Sequence, residues 1–116
     1  MGIVRIQAGQ RMSQAVIFNG IVETAGVVAK NVPGAGIERQ TIDILANIDQ
    51  LLSESGTDKT KLLKATIWIS DISTFDEMNK VWDAWVSPGQ TPCRACVEAK
   101  LASPKYGVEI QVSAAI

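Results

Sequence analysis

The chain has 116 residues, 47% apolar and 20% charged, with 11 Lys+Arg against 12 Asp+Glu and a formal charge of -1. That length and balance describe a single folded domain over residues 1–116 and exclude a disordered chain. They also leave no run near the roughly 18 apolar residues of a membrane span and no excess of basic charge with which to grip phosphates.

In chain order, three β-like runs come first: Ile3 to Ile6, Ala15 to Asn19 and Ile21 to Val28. The second and third meet at Asn19-Gly20, a strong hairpin signal. From Ile37 to Ser55 the period changes. Thr41, Ile44, Leu45, Ile48, Leu51 and Leu52 fall at helical spacing, and Gly56 stops the helix. Leu62 to Ser70 then reads as a buried strand, because Ala65-Thr-Ile-Trp-Ile69 is β-branched and aromatic. A second helix opens at Ser73-Thr74, where Thr74 and Glu77 match a capping box. Phe75, Met78, Val81, Trp82 and Trp85 form its apolar stripe, and Pro88-Gly89 ends it. Two strands follow, Pro92 to Lys100 and Gly107 to Ala114, across a loop around Ser103-Pro104-Lys105. The order βββαβαββ predicts an α+β domain, a six-stranded mixed sheet with two helices on one face.

Such a sheet leaves its other face to water or to another subunit. Alternation along the fifth strand sets Cys93, Ala95, Val97 and Ala99 on one side and Arg94, Cys96, Glu98 and Lys100 on the other. On the sixth, Val108, Ile110 and Val112 oppose Glu109, Gln111 and Ser113. The small and apolar sets suit the helices, so Arg94, Glu98 and Glu109 are expected near one another on the uncovered face. That face reads either as a solvated surface with routine ion pairs or as a self-associating one with a charged pocket.

The chain has no histidine and two cysteines. Histidine-activated serine or cysteine nucleophiles are therefore excluded, as is any His-ligated metal. Cys93 and Cys96 are too few for a structural zinc. In an extended strand, residues three apart lie about 10 Å from each other, too far for a disulfide. Cys96 therefore reads as a small buried residue. Val32 to Gly36 lacks the Lys and the spacing of a phosphate loop. Trp82 and Trp85 follow the helix stripe and read as core packing rather than base-stacking platforms.

The run Pro92-Cys-Arg94-Ala-Cys96-Val-Glu98-Ala, followed by Tyr106-Gly-Val108-Glu109-Ile110-Gln111, resembles the signature of the RidA (YjgF) family of enamine and imine deaminases. Further matches run in order: Ser13-Gln14-Ala15-Val16, Gly26, and Phe75 through Asn79. The resemblance spans nearly the whole chain and is strongest to a short bacterial branch of that family. It implies a chorismate mutase-like fold, a cytoplasmic homotrimer with clefts between subunits, and hydrolysis of reactive 2-imino acids to 2-oxo acids and ammonia. No metal or other cofactor is implied. On the matching positions, Arg94 clamps the substrate carboxylate and Glu109 holds the attacking water. Cys96 contributes mainly through its backbone, and Gly26 permits close approach of strand and ligand. Asn79 is expected to bond nearby backbone, and Glu98 to pair with Lys100 or Arg94.

The chain departs from the family pattern at Gln10-Arg11-Met12, where many deaminating members carry Gly-Pro-aromatic, and at Ala25-Gly26-Val27, where they often carry Ser-Gly-Gln. Met12 then offers a flexible apolar wall to the substrate. These departures motivate a second reading, a non-catalytic trimeric module that binds small carboxylates or acts as a chaperone. Ribonuclease activity, a label some members carry, is the weakest reading for a chain with no basic stripe and no histidine.

Overall fold

Chain reversal at Asn19-Gly20 follows the backbone those two residues favour. Asn19 has φ +53° and Gly20 φ +74°, the pair of left-handed conformations that a type I′ turn needs to match strand twist. This hairpin joins β2 (Ala15–Phe18) to β3 (Ile21–Thr24), and β1 (Val4–Ile6) pairs with β2 on the outer side. The computed structural model describes residues 2–116.

The predicted third strand is broken. β3 ends at Thr24 and a separate β4 covers Val27–Val28. Both pair with β7 (Val108–Ala115), but Glu23 faces Ser113 whereas Val27 faces Ile110. Residues 24–26 thus oppose residues 111–112, which is a β-bulge. Thr24 stabilises it: its Oγ1 accepts from the Val112 N–H at 3.1 Å and donates to the Ala25 carbonyl at 2.9 Å. The bulge turns the expected six strands into seven, in the order β1-β2-β3-β7-β5-β6 with β4 beside β7.

Helix α1 (Ile37–Glu54) ends where predicted, with Gly56 at φ +85°. Ile44, Ile48, Leu51 and Leu52 are fully buried and pack on the sheet face carrying Val22, Ile67, Ile69, Val108 and Ile110. β5 (Leu62–Ile69) and β6 (Cys93–Glu98) are parallel, a pairing that requires a crossover, supplied by α2 (Phe75–Trp85). All other strand pairs are antiparallel, so the sheet is mixed.

The start of α2 differs from the expected capping box. Thr74 makes no side-chain cap; its Oγ1 donates to the Asp71 carbonyl at 2.7 Å. A 3₁₀ turn over Ile72–Thr74 precedes the helix instead, and Asp71 accepts from the N–H and hydroxyl of Ser73. Gln40, buried in α1, ties the loop before β7 to the helix. Its Nε2 donates to the carbonyls of Ala35 and Lys105, and its Oε1 accepts from the Gly107 N–H at 2.9 Å.

Candidate functional site

Paired residues of neighbouring strands share a sheet face. Arg94 pairs with Ala65, which pairs with Val112, and Cys96 pairs with Ile67, which pairs with Ile110. Those partners are buried beneath the helices. Arg94, Cys96 and Glu98 therefore face α2, and Cys93, Ala95 and Val97 face outward, with Val97 48% exposed. This reverses the sides read from alternation. The reason is that β6 is an edge strand only partly roofed by α2, so Arg94 finds a partner on the helix and Glu98 one in the turn before it, while the small residues are left outside.

Arg94 is held with some definition. Its Nη1 donates to Asn79 Oδ1 at 2.7 Å, and its guanidinium lies 5.3 Å from the Trp82 ring centre and 5.8 Å from that of Phe75. Both contacts are cation–π in kind. No carboxylate touches it: among the described residues the one ion pair is Lys80–Glu38, at 3.2 Å on the surface. Glu98, expected to pair with Arg94 or Lys100, instead accepts from the Ile72 N–H at 2.9 Å at the entry to α2. Cys96 is half-buried against the core, and burial pushes its thiol above its ordinary value while the Arg94 charge pulls the other way. Both cysteines are free, and they point to opposite faces.

Glu109 lies on the open face, level with Trp68 and Val28. Its carboxylate is lodged over Gly26: a Cβ built there would meet Glu109 Oε2 at 2.1 Å and Cδ at 2.9 Å. The bulge that splits β3 from β4 thus makes the notch that receives this acid. Met12 is 51% exposed in the loop between β1 and β2, two residues before Gln14, whose carbonyl accepts from the Ala25 N–H at 2.8 Å. Met12, Gly26 and Glu109 therefore sit toward one part of the sheet.

The expectation that Arg94 and Glu109 meet within one chain is overturned. They occupy opposite faces, with β5 between their strands, and Arg94 is level with Val112 rather than Glu109. That amounts to about 10 Å across the sheet and about 10 Å along it. A cleft of about 680 Å³ lies at the far end of β6, lined by Ser70, Glu98, Lys100, Leu101, Pro104 and Tyr106. Neither Arg94 nor Glu109 lines it. A polar depression of about 180 Å³ marks the open face, between Glu23, Lys64, Thr66, Gln111 and Ser113.

Sequence reasoning missed Phe75, Asn79 and Trp82 as partners of Arg94. The available signal was their spacing, i, i+4 and i+7, which places all three on one face of α2. No group of three or more His, Cys, Asp or Glu gathers to hold a metal among the described residues.

A mixed sheet roofed on one side by two helices, with an unpaired arginine at the edge and a notched glutamate on the open face, defines an α+β protein of the YjgF fold. The family model described as "Endoribonuclease L-PSP" matches residues 2–116, and the chain belongs to that family, the YjgF or RutC proteins. It is 45% identical to RutC family protein YoaB of Escherichia coli K12 over 116 residues, covering 100% of both chains. It is 41% identical to a RutC family protein of Haemophilus ducreyi over 114 residues, covering 98% and 97%. The resemblance is thus to the short YoaB-like branch. Among solved structures, NMB1025 of Neisseria meningitidis, a YjgF family member, superposes with a TM-score of 0.92 at 45% identity, covering 99% of this chain and 95% of its own.

Proposed function

We propose that the protein hydrolyses small 2-imino acids to 2-oxo acids and ammonia, in clefts formed between subunits of a homotrimer. The observation that carries this reading is Arg94: a half-buried guanidinium, oriented by an amide and two rings, with no anionic partner among the described residues. Neutral partners fix this guanidinium in place and leave its charge uncompensated. A planar guanidinium without a countercharge suits a carboxylate bound through two parallel hydrogen bonds.

The chemistry asks for little more. Bound by its carboxylate, the substrate presents its C=N carbon at a fixed place, and water adds there. Glu109 takes a proton from that water and passes it to nitrogen, giving a carbinolamine. It then carries the hydroxyl proton to the same nitrogen as the C–N bond breaks, so that neutral ammonia leaves, the C–O becomes the carbonyl and Glu109 is again a carboxylate. General acid–base help of this kind supplies about 10²–10⁴-fold. Because Arg94 and Glu109 lie on opposite faces of one sheet, the reading requires Arg94 of one subunit and Glu109 of the next.

The test is an assay in which an amino-acid oxidase generates imine in situ and semicarbazide traps what escapes. The parent protein suppresses the semicarbazone and Arg94→Ala does not. Equal suppression by both proteins removes Arg94 from the mechanism. The second reading, a binding module without turnover, is favoured by the exposed Met12 and by Ala25 at the notch. On that reading 2-oxobutanoate raises the melting temperature while the imine assay stays flat. RNA cleavage, the activity in the family model's description, is expected to disappear on further purification.

A further inference from the structure

We infer that Asn79 is a positioning residue whose neutrality matters: it orients the Arg94 guanidinium while leaving the full positive charge to the ligand. The inference deepens the proposed function and rests on its reading of Arg94 as a carboxylate clamp.

Three groups hold this guanidinium, and none carries a charge. The Asn79 amide oxygen accepts from Nη1 at 2.7 Å, and the rings of Trp82 and Phe75 lie 5.3 and 5.8 Å away. Ring faces attract a cation through their quadrupole, and an amide oxygen through its dipole. Each fixes position without cancelling charge. The acids nearest in sequence are disposed elsewhere. Asp76, Glu77 and Asp83 of α2 are exposed, and Glu98, on the same face of β6, is engaged by the Ile72 N–H at 2.9 Å.

An acid at position 79 is the informative change. Asn79→Asp is nearly isosteric and offers Arg94 a stronger, charge-assisted bond. If Asn79 served only to hold the strand and helix together, the aspartate would serve as well or better. If its neutrality is what leaves the charge available, the aspartate competes directly with the ligand carboxylate.

The experiment titrates 2-oxobutanoate by calorimetry into the parent protein, Asn79→Asp, Asn79→Ala and Arg94→Ala, alongside melting temperatures and steady-state imine kinetics. Expected are loss of binding in Arg94→Ala and weakening of about ten- to a hundredfold in Asn79→Asp, with a smaller loss in Asn79→Ala. Asn79→Asp should melt no lower than the parent and should raise KM with little change in kcat, the mark of lost ground-state binding. Parent-like binding by Asn79→Asp, with Arg94→Ala inactive, overturns this inference and leaves the proposed function standing. Should Asn79→Asp fail to fold, Asn79→Ala decides: weakening as severe as in Arg94→Ala would show that orientation, not neutrality, is what Asn79 provides. Parent-like binding by Arg94→Ala, or no binding by the parent, overturns both.

Discussion

Glu109 and Gly26 form a pair in which the smaller residue decides what the larger can do. With a side chain at position 26 the carboxylate could not rest where it does, since the added carbon would lie 2.1 Å from Oε2. Gly26→Ala is therefore expected to displace the acid by about 1 Å or more and lower kcat roughly 10²-fold, with little change in melting temperature because the notch opens to the surface. Glu109→Gln keeps the shape and removes the base. Its kcat should fall about 10²–10⁴-fold while 2-oxobutanoate binding, which depends on Arg94, persists. Steady-state kinetics and calorimetry on the two variants separate these effects. Unchanged kcat in Glu109→Gln would remove the acid from the chemistry.

Among the elements, the loop before β7 and two 3₁₀ turns, Lys59–Lys61 before β5 and Ile72–Thr74 before α2, carry most of the fine construction. Gln40→Leu would leave the Gly107 N–H and the Ala35 carbonyl without their partner, while the Lys105 carbonyl keeps the Gly34 N–H, at a cost of about 1–3 kcal/mol in denaturant unfolding. A cost within error of zero would show that the loop finds other partners. Asp58 and Asp71 cap their turns. The hydroxyls of Thr60 and Ser73 first, then their N–H groups, hold these carboxyls below the ordinary 3.8. A folded pKa below the unfolded one means stability that is complete above the unfolded value and lost as pH falls through the folded one. Below pH 3.8, then, the parent should lose melting temperature more steeply than Asp58→Ala/Asp71→Ala. Parallel curves would contradict the assignment. Both helices, the hairpin and the long strands were legible from period and turn chemistry, since those signals are local. The bulge at Ala25-Gly26 and the cap by Asp71 were not. The first needs the partner strand's register, and the second competes with an equally plausible Thr74–Glu77 motif.

At the scale of the molecule, the site was legible by residue type and not by position. Arg94 and Glu109 stood out as chemistry in a chain without histidine, yet alternation placed Arg94 on the wrong face. An edge strand does not obey the rule that apolar residues meet the helices, because a guanidinium stacked on Trp82 and Phe75 packs as well as an aliphatic chain. What no single chain can present is a cleft holding both residues, so assembly carries the account. Sedimentation at micromolar concentration should give a trimer, and a monomer would contradict the shared cleft. The most direct measurement mixes two inactive proteins, Arg94→Ala and Glu109→Gln, under conditions that exchange subunits. Every mixed trimer then contains one cleft with both groups intact, and imine hydrolysis should partly return. No recovery, with subunit exchange verified, would contradict a site built from Arg94 of one subunit and Glu109 of its neighbour.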